Sequence, residues 1–194
     1  MTEVIKRDGT REQLDIEKLH KVVFYACEGI NGVSASEVEI KSQIQFFDGI
    51  TSSEIQETLI KSAADLISEE TPNYQWVAGR LINYHLRKMV YGQFDPISLS
   101  DLIKKNVELG FYDSQILETY SKSEFTKLNK YIKHDRDDSL TYAAMEQFRG
   151  KYLVQNRVTK QIYETPQMAY MLIAMTLFQS YPTETRLRWV KEYY

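Results

Sequence analysis

Hydrophobic and polar positions follow two periods in the opening part of the chain. Val4-Ile5-Lys6-Arg7 alternates, meets Asp8-Gly9, and continues as Thr10-Arg11-Glu12-Gln13-Leu14. Asp-Gly tolerates the positive φ of a tight hairpin turn, so the stretch reads as a short β-hairpin. From Asp15 the period lengthens to that of a helix. Ile16, Leu19, Val22, Val23, Ala26 and Ile30 share a face, with Asp15 as cap and Gly29 and Gly32 as stops. Ser34-Ala35-Ser36-Glu37 reads as a capping box, opening a second helix through Val38, Ile44 and Phe47 that Asp48-Gly49 ends. Thr51-Ser52-Ser53-Glu54 is another box, and Ile55, Leu59, Ala63 and Leu66 form the inward face of a third helix. Thr71-Pro72 supplies cap and first-turn proline for a fourth, running through Val77, Ala78, Leu81, His85 and Met89 to Gly92.

Asp95-Pro96 marks a break after that unit. Further helices are predicted over 99–109, 114–120, 123–133 and 142–149, and KYLVQNRVTKQIY (151–163) reads as a second hairpin. Thr165-Pro166 opens a strongly apolar helix, Pro182 breaks it, and an amphipathic helix covers 183–194. The fold class is mainly α. A hairpin-capped four-helix unit occupies 1–92, and a helical region with a short second hairpin occupies 93–194.

Composition narrows the function classes. With 43% hydrophobic and 26% charged residues the chain has the balance of a soluble globular protein. A net charge of -3 argues against a nucleic-acid surface, which concentrates basic residues. The single cysteine, Cys27, rules out an internal disulfide and a Cys-rich zinc site, which fits a reducing compartment. The opening MTEVIKRDG lacks a signal-peptide core, and the apolar run 168–178 falls short of the ~20 residues that span a bilayer. A cytoplasmic protein without membrane contact is expected.

Short connections favour antiparallel neighbours, so the first four helices form an up-and-down bundle. The starts of helices one and three and the end of helix four then share a pole with the hairpin. This gathers Lys6, Arg7, Glu12, Asp15, Lys18, Ser52, Ile55, Gln56 and Lys88. Cations beside two helix amino termini, with their unsatisfied N–H groups and positive dipole ends, make a phosphate seat. Glu12 and Asp15 can accept from a base's exocyclic amine. The bland alternative is a set of solvated helix-end charges, and neither G-x-x-x-x-G-K-[ST] nor G-x-G-x-x-G occurs. On spacing alone both readings stand.

VIKRDGTREQLDIEKLHKVV, IQFFDGITSSEIQETLIKSAADLI and YHLRKMVYGQF resemble the ATP-cone domain of ribonucleotide reductases. KYIKHDRDDSLTYAAMEQFRGKYLVQN, IYETPQMAYMLIAMTLF and YPTETRLRWVKEYY resemble the helical region that precedes the catalytic barrel of class I large subunits. The resemblance implies ATP or dATP as an allosteric effector, with or without Mg, and no metal held by protein side chains. It implies Lys6, Arg7 and Lys88 on the phosphates. Glu12, Gln13, Leu14, Asp15, Ile16, Glu17 and Lys18 would lie around base and ribose, and Ser52, Ile55 and Gln56 would line the pocket. Many dATP-inhibited members carry histidine where this chain has Gln56, so the sequence departs from the pattern there.

The same resemblance implies that the radical and redox cysteines lie in the barrel, beyond Tyr194, so the chain alone has no catalytic residues. Implied partners are that barrel remainder and the reductase small subunit. Cys27 matches no catalytic position and reads as a packing residue. His85 reads as a buried, hydrogen-bonded histidine rather than a ligand. The unpartnered stripe Leu187, Val190 and Tyr194 suggests an uncovered final helix, and the apolar helix 168–178 is expected to be incompletely covered as well. Two rivals remain: an inert scaffold fragment, and a repressor of the kind that places a zinc ribbon before the cone. The second needs Cys-x-x-Cys pairs that this sequence lacks.

Overall fold

The computed structural model describes residues 2–194. Compactness divides them into two units. The first holds the residues up to His85 together with Asp138–Gln147; the second holds Leu86–Asp137 and Phe148–Tyr194. The division falls inside one helix.

In the first unit, β1 (Glu3–Ile5) pairs antiparallel with β2 (Arg11–Gln13), turning at Gly9 with φ +85°. A third strand, β3 (Ile50–Thr51), lies parallel to β1 on its other side, with Val4 opposite both Glu12 and Ile50. Val4 and Ile50 are buried, which anchors the small sheet to the helices. At two residues β3 is too short to show alternation, and the sequence gives no sign of it.

Helix α1 (Ile16–Cys27) begins as expected, with the Asp15 carboxylate accepting the Lys18 N–H at 3.1 Å. Leu19, Val23 and Ala26 are buried, whereas Ile16 stays exposed. Helix α2 (Ala35–Gln43) departs from expectation at both ends. No capping box forms at Ser34, because Tyr74 takes both partners. Its hydroxyl accepts the Ser34 N–H at 2.9 Å and donates to Glu37. The helix stops at Gln43, and Ile44 and Phe47 face solvent. Helix α3 (Ser52–Ala64) has its full Thr51–Glu54 box and buries Ile55, Leu59 and Ala63.

Helix α4 (Tyr74–Tyr91) starts later than Thr71-Pro72, since the Thr71 hydroxyl donates to Leu66 O at 2.7 Å. Its residues Val77, Ala78, Leu81 and Ile82 are fully buried. The segment of the first unit that follows much later in sequence, with helix α8 (Tyr142–Gln147), is clasped to this helix. Asp138 accepts from Asn83 Nδ2 at 2.7 Å and from the Tyr25 hydroxyl at 3.0 Å, while Arg80 Nε donates to its carbonyl at 3.2 Å.

The second unit contains α5 (Leu99–Glu108), α6 (Gln115–Thr119), α7 (Lys122–Asn129), α9 (Pro166–Phe178) and α10 (Thr183–Tyr193). A 3-10 helix over His134–Ser139 crosses a unit boundary, and a π-helical turn over Phe148–Tyr152 opens the last segment of the second unit. The second hairpin is reduced to one bridge, Gln155 opposite Ile162. Backbone bonds still close it, from the Asn156 N–H to Gln161 O at 2.8 Å and from the Tyr163 N–H to Val154 O at 3.0 Å, and side chains add to them: Glu164 accepts the Val154 N–H, and Asn156 Oδ1 accepts those of Val158 and Thr159.

The final helix is less bare than its sequence suggests. Val190 is fully buried, and the Tyr194 hydroxyl donates to Gln167 Oε1 at 2.5 Å while accepting from Lys133 N. Arg186 makes a buried fork to Glu124, both contacts at 2.8 Å, and reaches Thr119 O at 2.7 Å. Exposed apolar residues remain on both helices, Tyr170, Ile173 and Leu177 on α9 and Trp189 and Tyr193 on α10.

Candidate functional site

The small sheet fixes where the charged residues of the first unit meet. β2 leads into α1 and β3 runs directly into α3, with β1 between them. A strand rises about 3.3 Å per residue, so the two ends of three-residue β1 lie within roughly 7 Å. Both helix starts, with their unpaired N–H groups, therefore border one short sheet.

Around that sheet the side chains form a chain of ion pairs. Glu12 lies 2.6 Å from Lys6 Nζ and 3.9 Å from Lys18 Nζ. Lys18 Nζ also lies 3.4 Å from Asp15. The Asp15 carboxyl sits below its ordinary pKa, chiefly because it accepts the Lys18 backbone N–H. Desolvation lowers the Arg7 guanidinium from its usual value, and Tyr84 on α4 acts against that shift. Tyr84 in turn is raised by burial and drawn back by Arg7.

From α3, Ser52 and Gln56 are half-buried and Ile55 is buried. Gln56 Oε1 is enclosed with no hydrogen-bond partner among the described residues. One residue on, Glu57 lies 3.5 Å from Nε2 of buried His85, tying α3 to α4. Lys88 stands one helical turn beyond Tyr84, on the same face of α4.

Of the residues singled out in the sequence, Lys6, Glu12, Asp15 and Lys18 thus come together through direct contacts. Gln13 is exposed in β2, and Ile16 and Glu17 are exposed on the first turn of α1. Leu14 is half-buried, and its backbone N–H is taken by Thr2 O. The sequence reading missed Tyr84 beside Arg7. The spacing of four from Lys88 is the signal that could have found it.

Cys27 is half-buried, and burial pushes its thiol up to about 11, which keeps it protonated and unreactive. No group of His, Cys, Asp and Glu among the described residues could hold a metal ion. Among those residues, no helix is long and apolar enough to cross a membrane.

Residues 2–89 match the family model of the ATP cone domain, and residues 138–194 match the all-alpha domain of ribonucleotide reductase. The chain is 53% identical to the ribonucleoside-diphosphate reductase 1 subunit alpha of Escherichia coli, over 98% of its own length and 25% of that protein's. It is 51% identical to the alpha subunit of Haemophilus influenzae, with the same coverage. Identity is 38% to that of Helicobacter pylori, over 93% of this chain and 22% of the relative. The chain therefore spans about a quarter of the length of these relatives. It belongs to the class I ribonucleotide reductase large-subunit family and corresponds to the amino-terminal part of that subunit.

Proposed function

We propose that this chain binds ATP or dATP at the pole built by β1, β2 and the starts of α1 and α3, as the activity effector of a ribonucleoside-diphosphate reductase. Residues 1–92 are the regulatory domain, and residues 93–194 are the helical region that precedes the catalytic barrel. The observation that carries the reading is Glu12 held between Lys6 and Lys18 in a domain of the ATP-cone family. Lysines neutralised by a nearby exposed carboxylate are available to a stronger polyanion, because exposed pairs are weak. A triphosphate, alone or with Mg, displaces Glu12 from both lysines and gains charge-assisted hydrogen bonds. Glu12 is then released toward the base, whose exocyclic amine can donate to it. Arg7 and Lys88 complete the phosphate contacts, and the first turns of α1 and α3 enclose base and ribose.

Titration calorimetry of the chain with ATP tests this directly. Saturable heat at one site per chain is expected. No heat with either nucleotide would leave the inert-scaffold reading standing.

In this reading the chain regulates without catalysing. Its partners are the barrel remainder of the large subunit and the reductase small subunit. The family's chemistry needs several cysteines in one cavity, and the chain has only Cys27. Incubated with small subunit, reductant and a ribonucleoside diphosphate, the purified chain should give no deoxyribonucleotide above blank. Turnover by this polypeptide would contradict the assignment of chemistry to the barrel.

A further inference from the structure

Of the asparagines in the chain, Asn31 alone is followed by a glycine. The pair lies in the exposed turn between α1 and α2, with Gly32 at φ +71°. A Cβ built on Gly32 would meet nothing within 4 Å, so the turn is open on that side. Every other asparagine has its side chain engaged. Asn73 Nδ2 donates to Asn31 O at 2.9 Å, Asn83 Nδ2 to Asp138 at 2.7 Å, and Asn106 Nδ2 to Tyr163 O at 2.9 Å. Asn129 Oδ1 accepts the Leu99 N–H, and Asn156 Oδ1 accepts those of Val158 and Thr159. Among the described residues, neither the Asn31 side-chain amide nor the Gly32 N–H has a hydrogen-bond partner.

From this we infer that Asn31 is a site of spontaneous, base-promoted deamidation. Glycine matters because, without a Cβ, nothing shields its nitrogen from the preceding side chain. That nitrogen also lacks a hydrogen bond that would oppose its deprotonation. Asn73 holds the Asn31 main-chain carbonyl, so the side chain is the part left to turn. The Gly32 nitrogen gives its proton to hydroxide and forms a bond to Asn31 Cγ. The bond from Cγ to the side-chain nitrogen breaks, and ammonia leaves with a proton taken from water. A five-membered succinimide remains. Water then opens the ring at either carbonyl: attack at Cγ gives aspartate, and attack at the main-chain carbon gives isoaspartate. Water is the only co-reactant, and nothing is oxidised or reduced.

Both products place a carboxylate where the chain had a neutral amide, close to the carboxyl end of α1, where a negative charge is disfavoured by the helix dipole. Isoaspartate also routes the main chain through Cβ and Cγ, adding one carbon to the connection between α1 and α2. The added atom falls between two ties to the start of α4, Asn73 to Asn31 O and the Ser34 N–H to the Tyr74 hydroxyl.

The test follows tryptic peptide 22–41 of the full chain by mass spectrometry during storage in mildly alkaline buffer. Lys21 and Lys41 bound that peptide, which holds Asn31 and no other asparagine, no glutamine and no aspartate. A gain of one dalton in it therefore reports this residue alone. The gain should precede any at the other asparagines, and should run nearly as fast in the folded chain as in a synthetic 22–41 peptide. Isoaspartyl methyltransferase with a labelled methyl donor should mark peptide 22–41 from the aged chain and not from fresh chain. Gly32→Ala should slow the gain severalfold, in the folded chain and in the synthetic peptide alike. An unchanged peptide 22–41 in the folded chain, after the synthetic peptide has converted, would overturn the site. So would earlier conversion at another asparagine, or a Gly32→Ala chain that converts as fast as the parent.

Discussion

Replacing Gly79 with alanine should destabilise the first unit by roughly 3 kcal/mol, the upper part of the usual cost of overpacking. Gly79 lies inside α4, where alanine would ordinarily gain up to about 1 kcal/mol in helix propensity. Packing reverses that sign. A Cβ at this position would stand 2.2 Å from Leu140 O and 3.0 Å from the carbonyl carbon of Thr141. Both neighbours are backbone, so no side chain can rotate away. The segment carrying them is held in place by Asp138, through Tyr25, Asn83 and Arg80. To accept the methyl group, that segment must lift and strain those hydrogen bonds. For a domain of this size the melting temperature should fall by roughly 6–12 °C. Gly150→Ala is the control, since a Cβ there meets nothing within 4 Å. A Gly79→Ala chain as stable as the parent would show that 138–147 does not pack on α4 as described.

Features set by neighbours in sequence were legible, and those set by distant partners were not. The Asp8-Gly9 turn, the Asp15 cap, the Thr51–Glu54 box and the Thr165-Pro166 start each follow from residues a few positions apart. Ser34-Ala35-Ser36-Glu37 has the same pattern as the Thr51 box yet forms none. Tyr74, forty positions later in the chain, offers Glu37 a better partner and gives Ser34 an acceptor. The Arg186–Glu124 fork was invisible for the same reason. The pairing of Lys6 and Lys18 on Glu12 was foreseen only as a gathering of charges at one pole. Bundle topology predicts which helix ends meet, but not which carboxylate stands between two lysines. The same limit explains the final helix. Its apolar stripe was plain, but the cover provided by Gln167 and Lys133 was not.

The two nucleotides should respond differently to two substitutions. Lys88→Ala removes a cation that both triphosphates use, so it should weaken ATP and dATP together. Losing one charge-assisted hydrogen bond costs about 1.5–3 kcal/mol, or roughly 10- to 100-fold in affinity. Gln56 is another matter. It lies one turn after Ser52, and its Oε1 is enclosed without a partner among the described residues. Many dATP-inhibited relatives of this family place histidine at the matching position. Glutamine can accept or donate a hydrogen bond there, but it cannot become cationic or present an imidazole ring to sugar and phosphates. ATP should therefore bind, while discrimination between ATP and dATP is weakened and feedback inhibition by dATP in the assembled enzyme is reduced. Gln56→His should change the dATP response while leaving ATP affinity within about a factor of three, since it alters no shared phosphate contact. Calorimetry with both nucleotides on the two variants gives the ratios directly, and reductase assays of the assembled enzyme give the inhibition. Lys88→Ala with unchanged affinity, or strong dATP inhibition of the unmodified enzyme, would show that the effector lies elsewhere or is read by other residues.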